Sequence, residues 1–278
     1  MAGAPVVLVT GSTDGIGRTT AVALARRGAR VIVHGRAKAR VDPVATELRA
    51  VAKEAALEPL ALDLARLEDV RAAGAVLDAR GVSIDVVVHN AGVYMRERVA
   101  SADGFEMTLA VNHLAPFALT HALLASAAGA SLRRIVVVSS VAHTRGTIDL
   151  DDLSFERRGF DPYATYAASK LANVLFAVEL ARRVRRGVTV NALHPGVVST
   201  KLLTQGFGMR GPDSLDEGAK TSVRLALDED IASVTGAYFS GGKRAPWSPL
   251  AEDRDLARRF YERSAALAGV TPLPETDG

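Results

Sequence analysis

Residues 10–17 read Thr10-Gly11-Ser12-Thr13-Asp14-Gly15-Ile16-Gly17, and they separate an apolar run at 5–9 from an amphipathic run at 18–27. The first run has the length and composition of a buried strand, and the second has the apolar spacing of a helix. Gly28 follows the last periodic residue, where a C-cap glycine belongs. A further apolar run occupies 30–33. The first 35 residues therefore predict strand, glycine turn, helix and strand, one βαβ unit. Gly11 leaves the strand with freedom to take a positive φ. Gly15 and Gly17 let a backbone approach an anion and let the helix pack on the sheet. Freed amides at the helix start would then attract a pyrophosphate.

The alternation continues outward from this unit. Helical patterns at 44–56, 67–79, 105–128 and 163–184 alternate with apolar runs at 59–62, 84–88, 134–138 and 188–193. Continuous apolar strands between helices predict a parallel sheet covered on both faces. Right-handed crossovers make it doubly wound. The expectation is an α/β, Rossmann-type fold of about seven strands in a single domain spanning 1–278. Residues 200–215 read as a mobile loop over the substrate side. Residues 240–278 form a C-terminal extension, with a frayed tail after Val270.

Composition narrows the function classes. Of the 278 residues 48% are hydrophobic, enough for a sizeable core. Lys+Arg total 34 against 31 Asp+Glu, a net +3 that argues against nucleic-acid binding. The one dense basic run, Arg182, Arg183, Arg185 and Arg186, reads as a solvated helix C-terminus. There are no cysteines, which excludes disulfides and thiolate chemistry. The six histidines lack ligand spacing, so no metal is expected. The longest apolar stretch, 108–132, is interrupted by Asn112, His113, Pro116 and His121 and reads as a buried helix, not a membrane span. With no leader in view, a cytoplasmic protein is expected.

Tyr166 and Lys170 stand four residues apart in Tyr-Ala-Ala-Ser-Lys, which on a helix puts both on one face. A free phenol has a pKa of about 10. A neighbouring ammonium would lower it, giving an acid/base near neutrality. The glycine spacing is GxxxGxG, and with its preceding Thr10 it resembles the opening motif of the short-chain dehydrogenase/reductase family. The resemblance runs from about residue 5 to about 200. It implies a nicotinamide-dependent oxidoreductase with a catalytic tetrad of Asn112, Ser140, Tyr166 and Lys170. In that scheme Ser140 bonds the substrate oxygen and Tyr166 exchanges the proton. Lys170 lowers the tyrosine pKa and binds the nicotinamide ribose, and Asn112 holds a relay water. Ser139 and Ser140 should face opposite sides of their strand, and the family pattern selects Ser140. Tyr163 has no lysine at the matching spacing.

The same resemblance assigns the cofactor contacts. These are Gly11, Ser12, Thr13, Asp14, Gly15, Ile16, Gly17 and Arg18 in the loop, and Asp63 and Leu64 after the third strand. They continue with Asn90, Ala91 and Gly92 after the fourth and Pro195, Gly196, Val198 and Thr200 after the sixth, with Tyr166 and Lys170 besides. Asp63 is alternatively a helix N-cap near Leu67, and Thr200 a cap of the next helix. His89 replaces the first Asn of the family's NNAG. An NAD enzyme places an acid after the second strand. This chain has His34-Gly35-Arg36 there, and Arg36 offers a planar fork to a 2′-phosphate. The expected cofactor is NADP(H).

On the substrate side, 25 residues separate Ser140 from Tyr166, including Asp149, Asp151 and Asp152. With Asn-His-Leu-Ala-Pro-Phe at 112–117, His194-Pro-Gly, and Ala-Tyr-Phe-Ser-Gly-Gly-Lys at 237–243, this resembles the retinol-dehydrogenase-like branch. That branch implies apolar, often bulky carbonyls or alcohols as small-molecule partners. Leu202, Leu203, Phe207 and Met209 either line the pocket or pack the loop. Trp247 reads as packing. Two other functions compete: a non-catalytic NADP(H)-binding regulator, and a sugar-nucleotide epimerase, for which the region after Thr200 is short. Pairing of helices 105–128 and 163–184 would give a homodimer or homotetramer; a monomer is the other outcome.

Overall fold

The computed structural model describes residues 3–276. In chain order the elements are β1 (Val6–Val9), α1 (Gly15–Arg26), β2 (Arg30–Gly35), α2 (Lys38–Val51), β3 (Leu60–Ala61), α3 (Leu67–Ala79) and β4 (Val86–His89). Then come α4 (Met107–Leu109), a π-helical turn (Ala110–Leu114), α5 (Ala115–Leu124), β5 (Arg134–Val138), α6 (Pro162–Leu180) and β6 (Thr189–His194). A second π turn (Leu202–Phe207), α7 (Leu215–Leu227), β7 (Ala237–Ser240), β8 (Lys243–Arg244) and α8 (Arg254–Ala268) complete the chain.

One eight-stranded sheet has the order β3-β2-β1-β4-β5-β6-β7-β8, parallel but for the two-residue β8, which pairs antiparallel with β7. Successive strand residues feed opposite cores. Leu8, Ile32, Val87, Ile135 and Val137 join α3, α5, α6 and α8 on one face. Val7, Val9, Val31, Val33, Val86, Val88, Val136 and Val138 join α1, α2 and α7 on the other. Both faces are covered, which is why the strands carry no polar alternation. The strand order reverses between β1 and β4, and the carboxyl ends of those strands open the crevice where such sheets bind ligands.

Several local expectations are corrected. The helix expected at 105–128 is bulged: the Ala115 amide reaches the Ala110 carbonyl, five residues back. Pro116 has no N–H to offer one turn earlier, so the ladder resumes only with α5. The 18-residue stretch Met107–Leu124 passes a length-and-hydropathy test for a membrane span, yet 83% of it is buried in this fold. α2 begins at Lys38, with Pro43 inside it, rather than after that proline.

Expected to fray, the tail after Val270 is tied down over its described residues, 271–276. Arg183 Nη1 donates to the Leu273 carbonyl at 2.6 Å, and the Thr276 hydroxyl to the Arg182 carbonyl at 2.7 Å. The basic run is therefore not uniformly solvated. Arg183 is buried, pairs with buried Glu179 at 2.6 Å and lies over the Tyr261 ring. Arg185 caps the carbonyls of Gly129, Ala130 and Leu132. Residues 165–180 are all buried within the chain, with α8 packed over α5 and α6. Both helices named for pairing with a second subunit thus pack against the chain's own C-terminal helix.

Candidate active site

The glycine loop is built from both sides. The Gly11 amide donates to His34 Nδ1 at 3.0 Å. Burial pulls the His34 imidazole down to about 4, so the ring stays neutral and keeps that lone pair. Asn90 Nδ2 donates to the Thr10 and Gly11 carbonyls at 2.9 and 3.3 Å. A Cβ on Gly17 would stand 2.3 Å from the Gly11 oxygen and 2.4 Å from Asn90 Nδ2, so only glycine lets α1 come this close to β1 and β4.

Within the loop, roles differ from expectation. Ser12 is fully buried. Its hydroxyl donates to the Val9 carbonyl at 2.8 Å and accepts from the His34 amide, while its own amide bonds the His34 carbonyl. Through hydroxyl and amide it ties β1 to β2. Asp14 caps α1, accepting from the Gly15 amide at 2.8 Å, and its second oxygen pairs with Lys201. That lysine holds the Asp14 carboxyl below the usual range. Thr13 and Gly15 are half-buried, and the Thr13 methyl faces Gly35. Ile16 and Val198 meet at Gly218 of α7, with Val198 buried and Ile16 half-buried.

Where the sequence places the adenosine contacts, Arg36 is exposed just beyond β2. Arg18 instead pairs with Glu47 of α2 at 2.8 Å. A Cβ on Gly35 would lie 2.5 Å from Thr13 Cγ2 and 3.0 Å from Val41 Cγ1, so no acid fits there. Asp63 closes a local turn by accepting from the Ala65 amide. The Leu67 amide is capped by Asp103 at 2.8 Å, so Asp63 is not the cap of α3. Leu64 is buried in the core.

His89 is a core histidine. It bonds the Thr120 hydroxyl at 2.8 Å, and burial pulls it down to about 3. Ala91 packs against Gly11. From the far side, Gly196 takes φ +98°, and Thr200 brings its methyl 3.4 Å from the position of a Gly15 Cβ. The segment after β6, with Pro195 at its root, thus crosses the mouth of the loop.

Tyr166 and Lys170 lie one turn apart on α6, both buried, with Lys170 Nζ 5.5 Å from the Tyr166 ring centre. Lys170 Nζ donates to the Val138 carbonyl at 3.2 Å and lies 3.4 Å from where a Gly92 Cβ would stand. This abuts the β1–β4 crevice. The two serines separate: Ser139 is buried and donates to the Lys170 carbonyl at 2.7 Å, whereas Ser140 stays half-buried beside the phenol. Two imidazoles hold the turn after Ser140. His194 Nδ1 accepts from the Val141 amide at 3.2 Å. His143 Nε2 accepts from the Ser248 amide, which leaves Nδ1 to donate to the Ser140 carbonyl at 2.6 Å. The C-terminal extension thereby braces the site, through a contact that no sequence signal marks.

Both polar groups of the Asn112 side chain are engaged within the fold. Its Oδ1 accepts from the Val93 amide at 2.7 Å, and its Nδ2 donates to the Val93 carbonyl and to Ser169 Oγ, each at 3.0 Å. It clamps the segment after Gly92 to α6. Nor is the phenol poised near neutrality. Burial pushes Tyr166 up to about 12, against a hydrogen bond with Ser140, and pulls Lys170 down to about 8. In a dry pocket desolvation outweighs the mutual attraction expected from the spacing.

A third wall is aromatic. Phe207 lies 4.0 Å from Tyr94 and 5.2 Å from Tyr166, ring centre to centre, and Tyr94 meets Tyr166 edge-on at 5.6 Å. Leu202 joins this cluster. Met209 is exposed, and Trp247 packs on the core. Tyr163 is exposed at the start of α6.

Comparison with known proteins gives a consistent result. A family model described as short chain dehydrogenase matches residues 5–209. Retinol dehydrogenase 13 of Homo sapiens is 39% identical over 279 residues, covering 95% of this chain and 84% of that protein. The crystal structure of an uncharacterized protein from Mycobacterium paratuberculosis is similar with TM-score 0.79 at 32% identity, over 98% of this chain and 96% of that one. A blue fluorescent protein from a metagenomic library, in complex with NADPH, is similar with TM-score 0.67 at 27% identity, over 86% and 98%.

Proposed function

The chain belongs to the short-chain dehydrogenase family, in its retinol-dehydrogenase-like branch, and from that premise we propose that it is an NADP(H)-dependent oxidoreductase interconverting an apolar ketone or aldehyde with its alcohol. The observation that carries this reading is the approach of Lys170, one turn from Tyr166, to Gly92 at the crevice between β1 and β4. An acid, a cation and a hydroxyl thus border the place where this sheet architecture binds a dinucleotide.

The residues present fit such a cofactor. Gly11 and Gly17 let β1, Ala91 and Asn90 pack closely on the start of α1, which brings the first amides of that helix, without partners inside it, to the crevice. Thr13, Gly15 and Thr200 would border the pyrophosphate, and Gly92, Lys170, Pro195 and Gly196 the nicotinamide end. Arg36 would meet a 2′-phosphate, and Gly35 leaves no room for the acid that prefers NAD. The NADPH complex of a similar structure supports the same choice. When bound, the nicotinamide supplies or accepts the hydride.

The chain's own residues handle the proton. In reduction, Tyr166 is kept protonated by burial and gives its proton to the substrate oxygen as negative charge develops there. Ser140 donates a hydrogen bond to the same oxygen. The Lys170 ammonium stands behind the phenol to offset the phenolate that remains, and the Val138 carbonyl fixes its direction. Asn112 contributes by fixing the backbone at Val93.

A carbonyl panel followed by NADPH absorbance tests this. Tyr166→Phe should lower turnover by about 10²- to 10⁴-fold, with NADPH binding retained. Equal turnover by the two proteins would remove Tyr166 from the chemistry.

A further inference from the structure

The aromatic group above Tyr166 has no part in proton transfer, yet contacts from two segments bring it there. Tyr94 follows Val93, whose amide and carbonyl are both held by Asn112, so its backbone is fixed. The second π turn carries Phe207 onto the Tyr94 ring at 4.0 Å, tilted by 38°. Gly206 makes this possible, since a Cβ there would lie 3.0–3.3 Å from three atoms of Tyr94. Arg96 Nε donates to the Gly206 carbonyl at 3.1 Å and fastens the turn from outside. Just beyond Phe207, Gly208 takes φ +68° and ends the turn.

We propose that Tyr94 and Phe207 are the specificity-determining pair of this site, and that they select substrates with a flat apolar group bonded directly to the carbonyl carbon, which takes the place of the Phe207 ring against Tyr94. The inference deepens the oxidoreductase reading and rests on it. The geometry argues for flatness. Phe207 rests on Tyr94 at ring-contact distance, so lifting it opens a slot about one aromatic ring thick. A planar group fills that slot and restores the lost contact. A puckered saturated ring of equal carbon count is thicker and must spread the walls. Phe207 also meets Tyr166 edge-on at 5.2 Å, so a group in its place lies beside the phenol, with its carbonyl within reach of Tyr166 and Ser140.

The test compares kcat/KM for benzaldehyde and cyclohexanecarboxaldehyde with NADPH, in wild type, Phe207→Ala, Tyr94→Ala and Tyr94→Phe. Either alanine variant should lower the aryl-over-cyclohexyl ratio about ten-fold or more, while Tyr94→Phe, which keeps the ring, should preserve it. An unchanged ratio in both alanine variants of an active enzyme removes this pair and leaves the oxidoreductase reading standing. Absence of Tyr166-dependent turnover of any aldehyde, by contrast, takes down that reading and this assignment with it. A second measurement needs no substrate. In alkaline absorbance titrations, with Tyr166→Phe as the reference that isolates residue 166, Phe207→Ala should lower the pH at which Tyr166 ionises, because water enters. No change would show that Phe207 does not cover the phenol, and would overturn the proposal.

Discussion

Lys170→Met should make the cofactor-free protein more stable at neutral pH while disabling it. Lys170 is 3% exposed, and burial alone pulls its ammonium from 10.5 down to about 8. Below pH 8 the folded state therefore holds a charge that the unfolded chain solvates better. A shift of this size corresponds to roughly 3 kcal/mol of penalty at about 1.4 kcal/mol per pH unit. The methionine fills similar space without the charge. It gives up the hydrogen bond to the Val138 carbonyl, about 1 kcal/mol, but that carbonyl still accepts from Asn173 Nδ2 at 3.2 Å, so no buried acceptor is orphaned.

The net gain at pH 7 is about 2 kcal/mol, or a Tm higher by about 4–8 °C for a chain of this size. The pH dependence identifies the cause. Between pH 8 and 10.5 the unfolded state binds more protons than the folded one, so wild-type stability rises with pH through that window, relative to the variant. Above it the penalty has gone, and the variant should be the weaker by about 1 kcal/mol. Urea denaturation of both proteins at pH 7 and at pH 10.5 reads the difference directly. A variant no more stable than wild type at pH 7, or a gap that does not move between the two pH values, would refute the reasoning. The destabilisation is then the cost of holding a cation next to Tyr166, as expected where activity and stability compete.

Two further outcomes follow from other regions. Arg36→Asp should weaken NADPH binding and improve NADH use, because it replaces an exposed cation beyond β2 with the acid that Gly35 cannot carry; steady-state constants for both cofactors, with no change in their ratio, would exclude Arg36 from the site. Arg183→Met should destabilise by about 3 kcal/mol, lowering Tm by roughly 6–12 °C in a thermal melt, since it strands buried Glu179. Arg182, 3.1 Å from the same carboxylate, keeps the loss at the lower end, and the double variant Glu179→Leu/Arg183→Met should recover much of it.

Much of this molecule is written in short-range patterns. The glycine turn, the apolar strands and the i,i+4 spacing of Tyr166 and Lys170 each act over a few residues, so each was legible without coordinates. The choice between Ser139 and Ser140 was framed by strand alternation, and the two side chains do face different surroundings. The misreadings share a cause. Ser12 looks like a ligand contact until His34, 22 residues away, takes its hydroxyl. Asp63 looks like a cap until Asp103 appears at Leu67, 36 residues away. Arg183 belongs to a polar run by composition, but Tyr261 and Leu273 bury it.

By itself the sequence determined the doubly wound sheet, the glycine turn and the chemistry available to α6, because periodicity and glycine act through local backbone geometry. Only the tertiary structure decided which groups face the crevice, which imidazoles hold Ser140, that α8 covers α5 and α6, and that Tyr94 and Phe207 close over Tyr166. It also set the protonation of Tyr166 and Lys170, since those depend on how much water the packed chain excludes, and no local pattern encodes that.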